Sequence, residues 1–133
     1  PLLTDRSGQS RRRPLLRIVM DSHLRLPLTA KLLGKVQDDL LVVCSASADP
    51  DKRRALENRG AEVYATPNSA NDDARADLHA VLDELGKRQM TSVMIEAGAA
   101  LNGAAVEIQC SLWLADVFEG DCKIERVIRV IGV

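Results

Sequence analysis

The residues best placed to do chemistry are Val93-Met94-Ile95-Glu96-Ala97-Gly98-Ala99-Ala100-Leu101-Asn102-Gly103. A short apolar run delivers a carboxylate, Glu96, and then a glycine opens a stretch of very small residues. If that stretch is a helix, its first amides have no partners within the helix, and the dipole adds positive potential there. Such a helix start can hold a phosphate group. Gly98, Ala99 and Ala100 are small enough to let a ligand reach the backbone. Glu96 stands beside the turn, where it can accept hydrogen bonds from a polar substrate. The spacing is neither GxGxxG nor the GK[ST] of a P-loop. A plainer reading remains open, in which Gly98 and Gly103 only permit close helix–sheet packing and Glu96 is solvated.

Asp21-Ser22 is a second candidate. The pair follows the apolar run Leu15–Met20 and reads either as a turn or cap or as a strand-end contact in which the Ser22 hydroxyl meets a ligand. The third is a basic opening segment with Arg6, Arg11, Arg12, Arg13 and Arg17 against Asp5 alone. It is either a solvated loop or a seat for a phosphorylated ligand, because arginine forks match phosphate oxygens.

These candidates need a scaffold. Leu15–Met20, Leu40–Cys44, Glu62–Ala65 and Ser92–Ile95 are short apolar or β-branched runs and are predicted as strands. Pro27 splits Leu24–Gly34, which predicts a turn and then a short helix. Asp49-Pro50-Asp51 predicts a helix start, with a capping carboxylate, a proline in the first turn and an acid on the dipole. That helix should stop near Arg59, with Gly60 as the left-handed residue. Leu78, Val81, Leu82 and Leu85 mark one face of a further helix, which Gly86 is expected to end. Ala99–Gln109 reads as a helix, and Lys123–Val133 as an edge strand. Alternating strands and helices predict an α/β domain, with a mainly parallel sheet and helices on both faces. Ligands in such sheets bind beyond the carboxyl ends of the strands, where Asp21-Ser22 and Glu96 would lie.

Composition narrows the class. The chain has 133 residues and a formal net charge of −1, so overall charge gives no reason to expect nucleic acid or an anionic membrane. Trp113 and Phe118 are two of only three aromatic side chains, which argues against a base-stacking surface. Cys44, Cys110 and Cys122 are odd in number and lack CxxC spacing, so neither a disulfide framework nor a zinc site is expected, and a reducing, cytoplasmic compartment is. His23 and His79 have no metal-ligand spacing. No apolar run approaches the ~20 residues of a membrane span. The chain opens at Pro1 without an initiator methionine and is read as part of a longer protein.

The ordered blocks Pro1-x-Leu3-Thr4-x-Arg6, Pro14-Leu15-x-Arg17-Ile18-Val19-x-Asp21-Ser22-x-Leu24-Arg25-x-Pro27, Lys52-Arg53-x-Ala55-Leu56, Asp77-Leu78-x-x-Val81-Leu82-x-x-Leu85-Gly86 and Ser92-Val93-x-Ile95-Glu96-x-Gly98-x-x-Leu101-Asn102-Gly103-Ala104 resemble the reductase domain of the riboflavin-biosynthesis deaminase/reductase family. The resemblance runs from residue 1 to about 105. Residues 106–133 read as an atypical tail, so the chain is expected to be a single, partial reductase domain. The resemblance implies a dihydrofolate-reductase-like fold and NADPH-dependent reduction of 5-amino-6-(5-phosphoribosylamino)uracil to its ribityl form. It implies substrate contacts at Leu3, Arg6 and Glu96. It implies cofactor contacts at Ser22, Gly98, Ala99, Ala100, Leu101, Asn102, Gly103 and Ala104. No catalytic residue is assigned and no metal is expected. The resemblance also implies a homodimer. The family's zinc-binding deaminase domain, which often precedes the reductase, has no counterpart in these residues, so no deaminase chemistry is expected of them. Two other readings stay open: a non-catalytic α/β ligand-binding or oligomerisation module, and a reductase of a related pterin or pyrimidine.

Overall fold

The structure, a computed structural model, describes residues 15–67, 75–90, 92–95, 101–105 and 127–132. Among the described residues there are five strands: β1 (Arg17–Met20), β2 (Leu40–Ser45), β3 (Glu62–Thr66), β4 (Ser92–Ile95) and β5 (Val127–Gly132). They form one sheet in the order β3-β2-β1-β5-β4, and every pairing is parallel. All six residues of β2 are buried, as expected for a parallel strand covered on both faces.

The period-two alternation of the strands sorts the core into two layers. Leu40, Val42 and Cys44 of β2 face the same side as Val19, where they meet Leu56 of α1 (Pro50–Glu57) and Leu24, Leu32 and Leu33 of the β1–β2 connection. Leu41 and Val43 face the other side with Ile18 and Met20. There they meet Leu78, Val81 and Leu85 of α2 (Leu78–Lys87), and Leu101, Ala104 and Ala105 of a helical stretch at 101–105 join the same layer. Helices therefore cover both faces. Each fully buried aliphatic side chain contributes about 1.5–3 kcal/mol, so the α2 stripe alone is a major part of what holds that layer.

The helix ends follow local chemistry. Asp49 Oδ1 accepts the Asp51 amide at 2.9 Å with Pro50 in the first turn, and Asp77 Oδ1 accepts the His79 amide at 2.9 Å. After α1, Gly60 takes φ +86° and the Ala61 amide returns to the Leu56 carbonyl at 3.3 Å, a Schellman closure. The same closure ends α2, but three residues later than Gly86 predicts. The helix runs through Gly86 to Lys87, Gln89 takes the left-handed φ of +58°, and the Met90 amide reaches the Leu85 carbonyl at 2.9 Å. Arg88 explains the extension. Its guanidinium grips both Glu62 oxygens at 2.6 and 2.9 Å and Glu84 at 2.8 Å, tying the last turn of α2 to β3.

Three further expectations are corrected. The helix expected within Leu24–Gly34 is a set of turns and a single 3-10 turn, Leu33–Lys35: the Ala30 amide bonds to the Pro27 carbonyl and the Leu33 amide to the Ala30 carbonyl, each at 2.9 Å, closing i to i+3 turns in place of an α-helical ladder. The strand read as an edge at 123–133 is β5, in the sheet interior between β1 and β4. Partial alternation suggested a half-covered strand, whereas pairing on both sides is decided by residues far away in the chain. Arg17, grouped with the basic opening segment, is buried within β1. It donates to Asp39 Oδ1 at 2.6 Å and to the Lys35 carbonyl at 2.9 Å. Burial alone would raise the Asp39 pKa, but the Arg17 guanidinium and the Gln37 amide outweigh it and hold the carboxyl below its ordinary value.

Candidate functional site at the carboxyl ends of the strands

Because all pairings are parallel, the five strands end on one lip of the sheet. From β1 the chain builds outward through β2 to β3, while β4 and β5 lie on the other side of β1. The order thus reverses at β1, and a crevice beyond strand ends opens at such a reversal. Asp21 and Ser22 follow β1 at that point.

Ser22 is held from three directions. Its carbonyl accepts the Ser45 amide and the Ser45 hydroxyl, each at 3.1 Å. Its Oγ accepts the Ala76 amide at 2.9 Å. One lone pair is engaged in this way, and among the described residues nothing accepts the hydroxyl hydrogen, which can donate to an anionic or carbonyl oxygen. Next along the lip, Thr66 Oγ1 donates to the Cys44 carbonyl at 3.2 Å and accepts the Asp77 amide at 3.0 Å. Hydroxyls at the ends of β1 and β3 therefore pin the segment entering α2 onto the sheet. Ser45 and Thr66 escaped the sequence reading. The available signal was that β2 and β3, like β1, close an apolar run with a polar residue.

Asp21 is completely buried. Its Oδ2 accepts the Leu26 amide at 2.7 Å and its carbonyl accepts the Leu24 amide at 3.1 Å, so the turn reading holds for this residue. Its Oδ1 lies 3.9 Å from Arg25 Nε. The segment Leu24–Leu28 then faces Lys52, Ala55 and Leu56 of α1 across a mainly apolar cavity of about 290 Å³, with Arg25 and Lys52 supplying positive charge.

On the far side of the sheet order, the stretch at 101–105 packs through Leu101 and Ala104, while Asn102 and Gly103 are exposed. A side-chain carbon built on Gly103 would meet nothing within 4 Å among the described residues. Close packing therefore does not explain this glycine, which narrows the plainer reading given above. Glu96, Gly98, Ala99 and Ala100, and likewise Leu3 and Arg6, lie outside the described residues.

Cys44 is buried, and burial pushes its thiol pKa up, with Arg53 Nη2 at 4.0 Å acting in the opposite direction. It behaves as a small apolar side chain. Among the described residues there is no group of His, Cys, Asp or Glu able to hold a metal ion, and no helix long and apolar enough to cross a membrane.

Comparison with known proteins adds to this geometry. The family model described as RibD C-terminal domain matches residues 1–110. Proteins named riboflavin biosynthesis protein RibD are similar to the chain. That of Actinobacillus pleuropneumoniae is 31% identical over 107 residues, covering 80% of this chain and 27% of the relative. That of Chlamydia muridarum is 29% identical over 98 residues (74% and 25%), and that of Bacillus amyloliquefaciens 27% over 110 residues (83% and 28%). The chain thus spans about a quarter of the length of these relatives. With a family match over most of its length and a parallel α/β sheet covered on both faces, the chain belongs to the RibD C-terminal domain family.

Proposed function

We propose that this chain is a nicotinamide-dependent reductase domain acting in riboflavin biosynthesis, with NADPH as cofactor and 5-amino-6-(5-phosphoribosylamino)uracil as substrate. The observation that carries the reading is Ser22: a fixed hydroxyl with a hydrogen to donate, placed where the strand order reverses. Arg25 and Lys52, which line the cavity between the β1–β2 connection and α1, carry positive charge that suits a phosphorylated cofactor. NADPH, when bound, supplies a hydride to the sugar carbon of the substrate. The protein's part is to bind, orient and exclude water. In this reading Ser22 and the run Gly98, Ala99, Ala100, Leu101, Asn102, Gly103 and Ala104 contact the cofactor. Leu101 and Ala104 pack inward, so their share would fall to the backbone. Leu3, Arg6 and Glu96 contact the substrate, Arg6 through its phosphate and Glu96 through polar hydrogens. A cytoplasmic location, a homodimer and fusion to a deaminase domain in a longer protein belong to the same proposal.

Titration of the chain with NADPH, followed by cofactor fluorescence, tests it. Saturable binding that weakens in Ser22→Ala supports the reading. Absence of binding both by this chain and by a version extended to the length of its relatives overturns it.

One observation favours a second reading, a non-catalytic ligand-binding or oligomerisation module. β5 lies beyond the matched residues 1–110, yet it occupies the interior of the sheet. Cofactor binding without turnover in the extended protein would select that reading, and turnover of a related pterin or pyrimidine in its place would change only the substrate.

A further inference from the structure

We propose that Asp21 is a positioning residue for the ligand site at the end of β1, setting the left-handed turn that holds Ser22 and Arg25 at the lip; the ligand side of this rests on the cofactor reading above. One residue closes the turn twice, through its carbonyl to the Leu24 amide at 3.1 Å and through Oδ2 to the Leu26 amide at 2.7 Å. The second bond is short and charge-assisted. Closing the chain this way places Leu24 at φ +52°, a left-handed conformation that is strained for a bulky residue. Burial of the Leu24 side chain in the α1-side core offsets that strain.

A turn alone does not call for a buried carboxylate. Asp21 is fully buried, and its Oδ1 has no hydrogen-bond partner among the described residues. Leaving such an oxygen dry is unfavourable. What the carboxylate provides is fixed direction. Oδ2 holds the Leu26 amide, and Oδ1 faces Arg25 Nε at 3.9 Å, so the turn is locked beneath Ser22 while the Arg25 guanidinium is drawn toward the same end of β1. Ser22, next in sequence, is already fastened to Ser45 and Ala76. The result is a hydroxyl fixed before any ligand arrives, with an exposed guanidinium biased toward the same end of β1, which reduces the ordering cost of binding.

Two measurements on the whole chain test this. The first is NADPH affinity of Asp21→Ala and Asp21→Asn, with the thermal midpoint recorded alongside. Asn keeps an acceptor for the Leu26 amide but loses the charge facing Arg25, so its Kd should rise by about threefold, whereas Ala, which loses both, should raise Kd by about tenfold or more. Unchanged affinity in folded Asp21→Ala overturns the proposal, whatever happens to the midpoint. The second is NMR of the Leu24 backbone, whose left-handed φ should persist in Asp21→Asn and be lost in Asp21→Ala. If neither the parent nor its extended version binds NADPH, the functional reading falls, and the NMR result alone decides the role of Asp21. Persistence of the turn in both variants overturns it. Should Asp21→Ala fail to fold, Asp21→Glu replaces it, since Glu keeps charge but displaces both oxygens. A left-handed Leu24 in Asn but not in Glu supports the proposal, and the reverse order overturns it.

Discussion

Thr66 offers a direct test of how the lip is held together. Replacing it with valine keeps the shape and the β-branch but removes both hydrogen bonds of its hydroxyl, the donation to the Cys44 carbonyl at 3.2 Å and the acceptance from the Asp77 amide at 3.0 Å. Each bond is worth about 1 kcal/mol net, and a buried group left without its partner adds about 1 kcal/mol more. The new methyl returns up to about 0.8 kcal/mol of apolar burial. Because residue 66 is fully buried, water cannot replace the lost partner on the Cys44 side. The balance is a loss of about 2 kcal/mol. With a urea slope of about 1–3 kcal/mol per molar, the midpoint should fall by about 1 M. Thr66→Ser is the control. It keeps the hydroxyl and removes one methyl, a change of about 1 kcal/mol. Urea unfolding of the two variants should therefore rank valine as the more damaging. If serine proves the more damaging, or if valine shifts the midpoint by less than about 0.3 M, the tether is not what holds the α2 entrance.

Further predictions concern the glycines and the ion pairs. Gly103→Ala should raise stability by about 0.5–1 kcal/mol, since the position is helical and open, yet weaken NADPH binding if the cofactor approaches this backbone; thermal melts and titration read the two effects separately. Gly60→Ala should lower stability by about 1 kcal/mol through its φ of +86° alone, because the added carbon meets Val36 only at an ordinary 3.6 Å. The hydrogen bonds from Arg88 hold the Glu62 carboxyl below its ordinary value, and Asp39 is lowered as well. Their stabilisation is therefore complete above the unfolded values of 4.5 and 3.8 and is lost as pH falls through the lower folded ones. Arg88→Met should flatten the Glu62 part of the acid limb of a stability–pH profile, and an unchanged limb would show that the Arg88–Glu62 pair is screened out.

What could be read in advance was what neighbouring residues decide. Asp49 caps the amide two positions away, Gly60 closes a turn with Leu56, and the Leu78–Leu85 stripe faces one way because of helical spacing alone. The misreading of Leu24–Gly34 is local, a matter of which short turns close, whereas the others involve partners distant in the chain. Gly86 loses its terminating role because Glu62, 26 residues before Arg88, anchors the next turn. Arg17 leaves the basic segment because Asp39, 22 residues on, is waiting beside β1. At the site, the polar character of Asp21-Ser22 was visible, but the tether from Ser22 to Ala76 spans 54 residues and has no local signature. The division of labour between the two residues, Asp21 turned inward and Ser22 left able to donate, depends on the backbone path between them.

The position of β5 bears on the order of assembly. Residues 127–132 come last of these elements, yet they separate β1 from β4. The β1-β2-β3 half can zip up as soon as residue 66 has been synthesised. Among the described residues β4 has no lateral neighbour until residue 127, 32 positions after its own end at residue 95. Long-range parallel pairing of this kind is intrinsically slow. A ribosome-bound chain stalled before residue 127 would hold half a sheet with β4 still undocked, exposed to chaperones or to a neighbouring nascent chain.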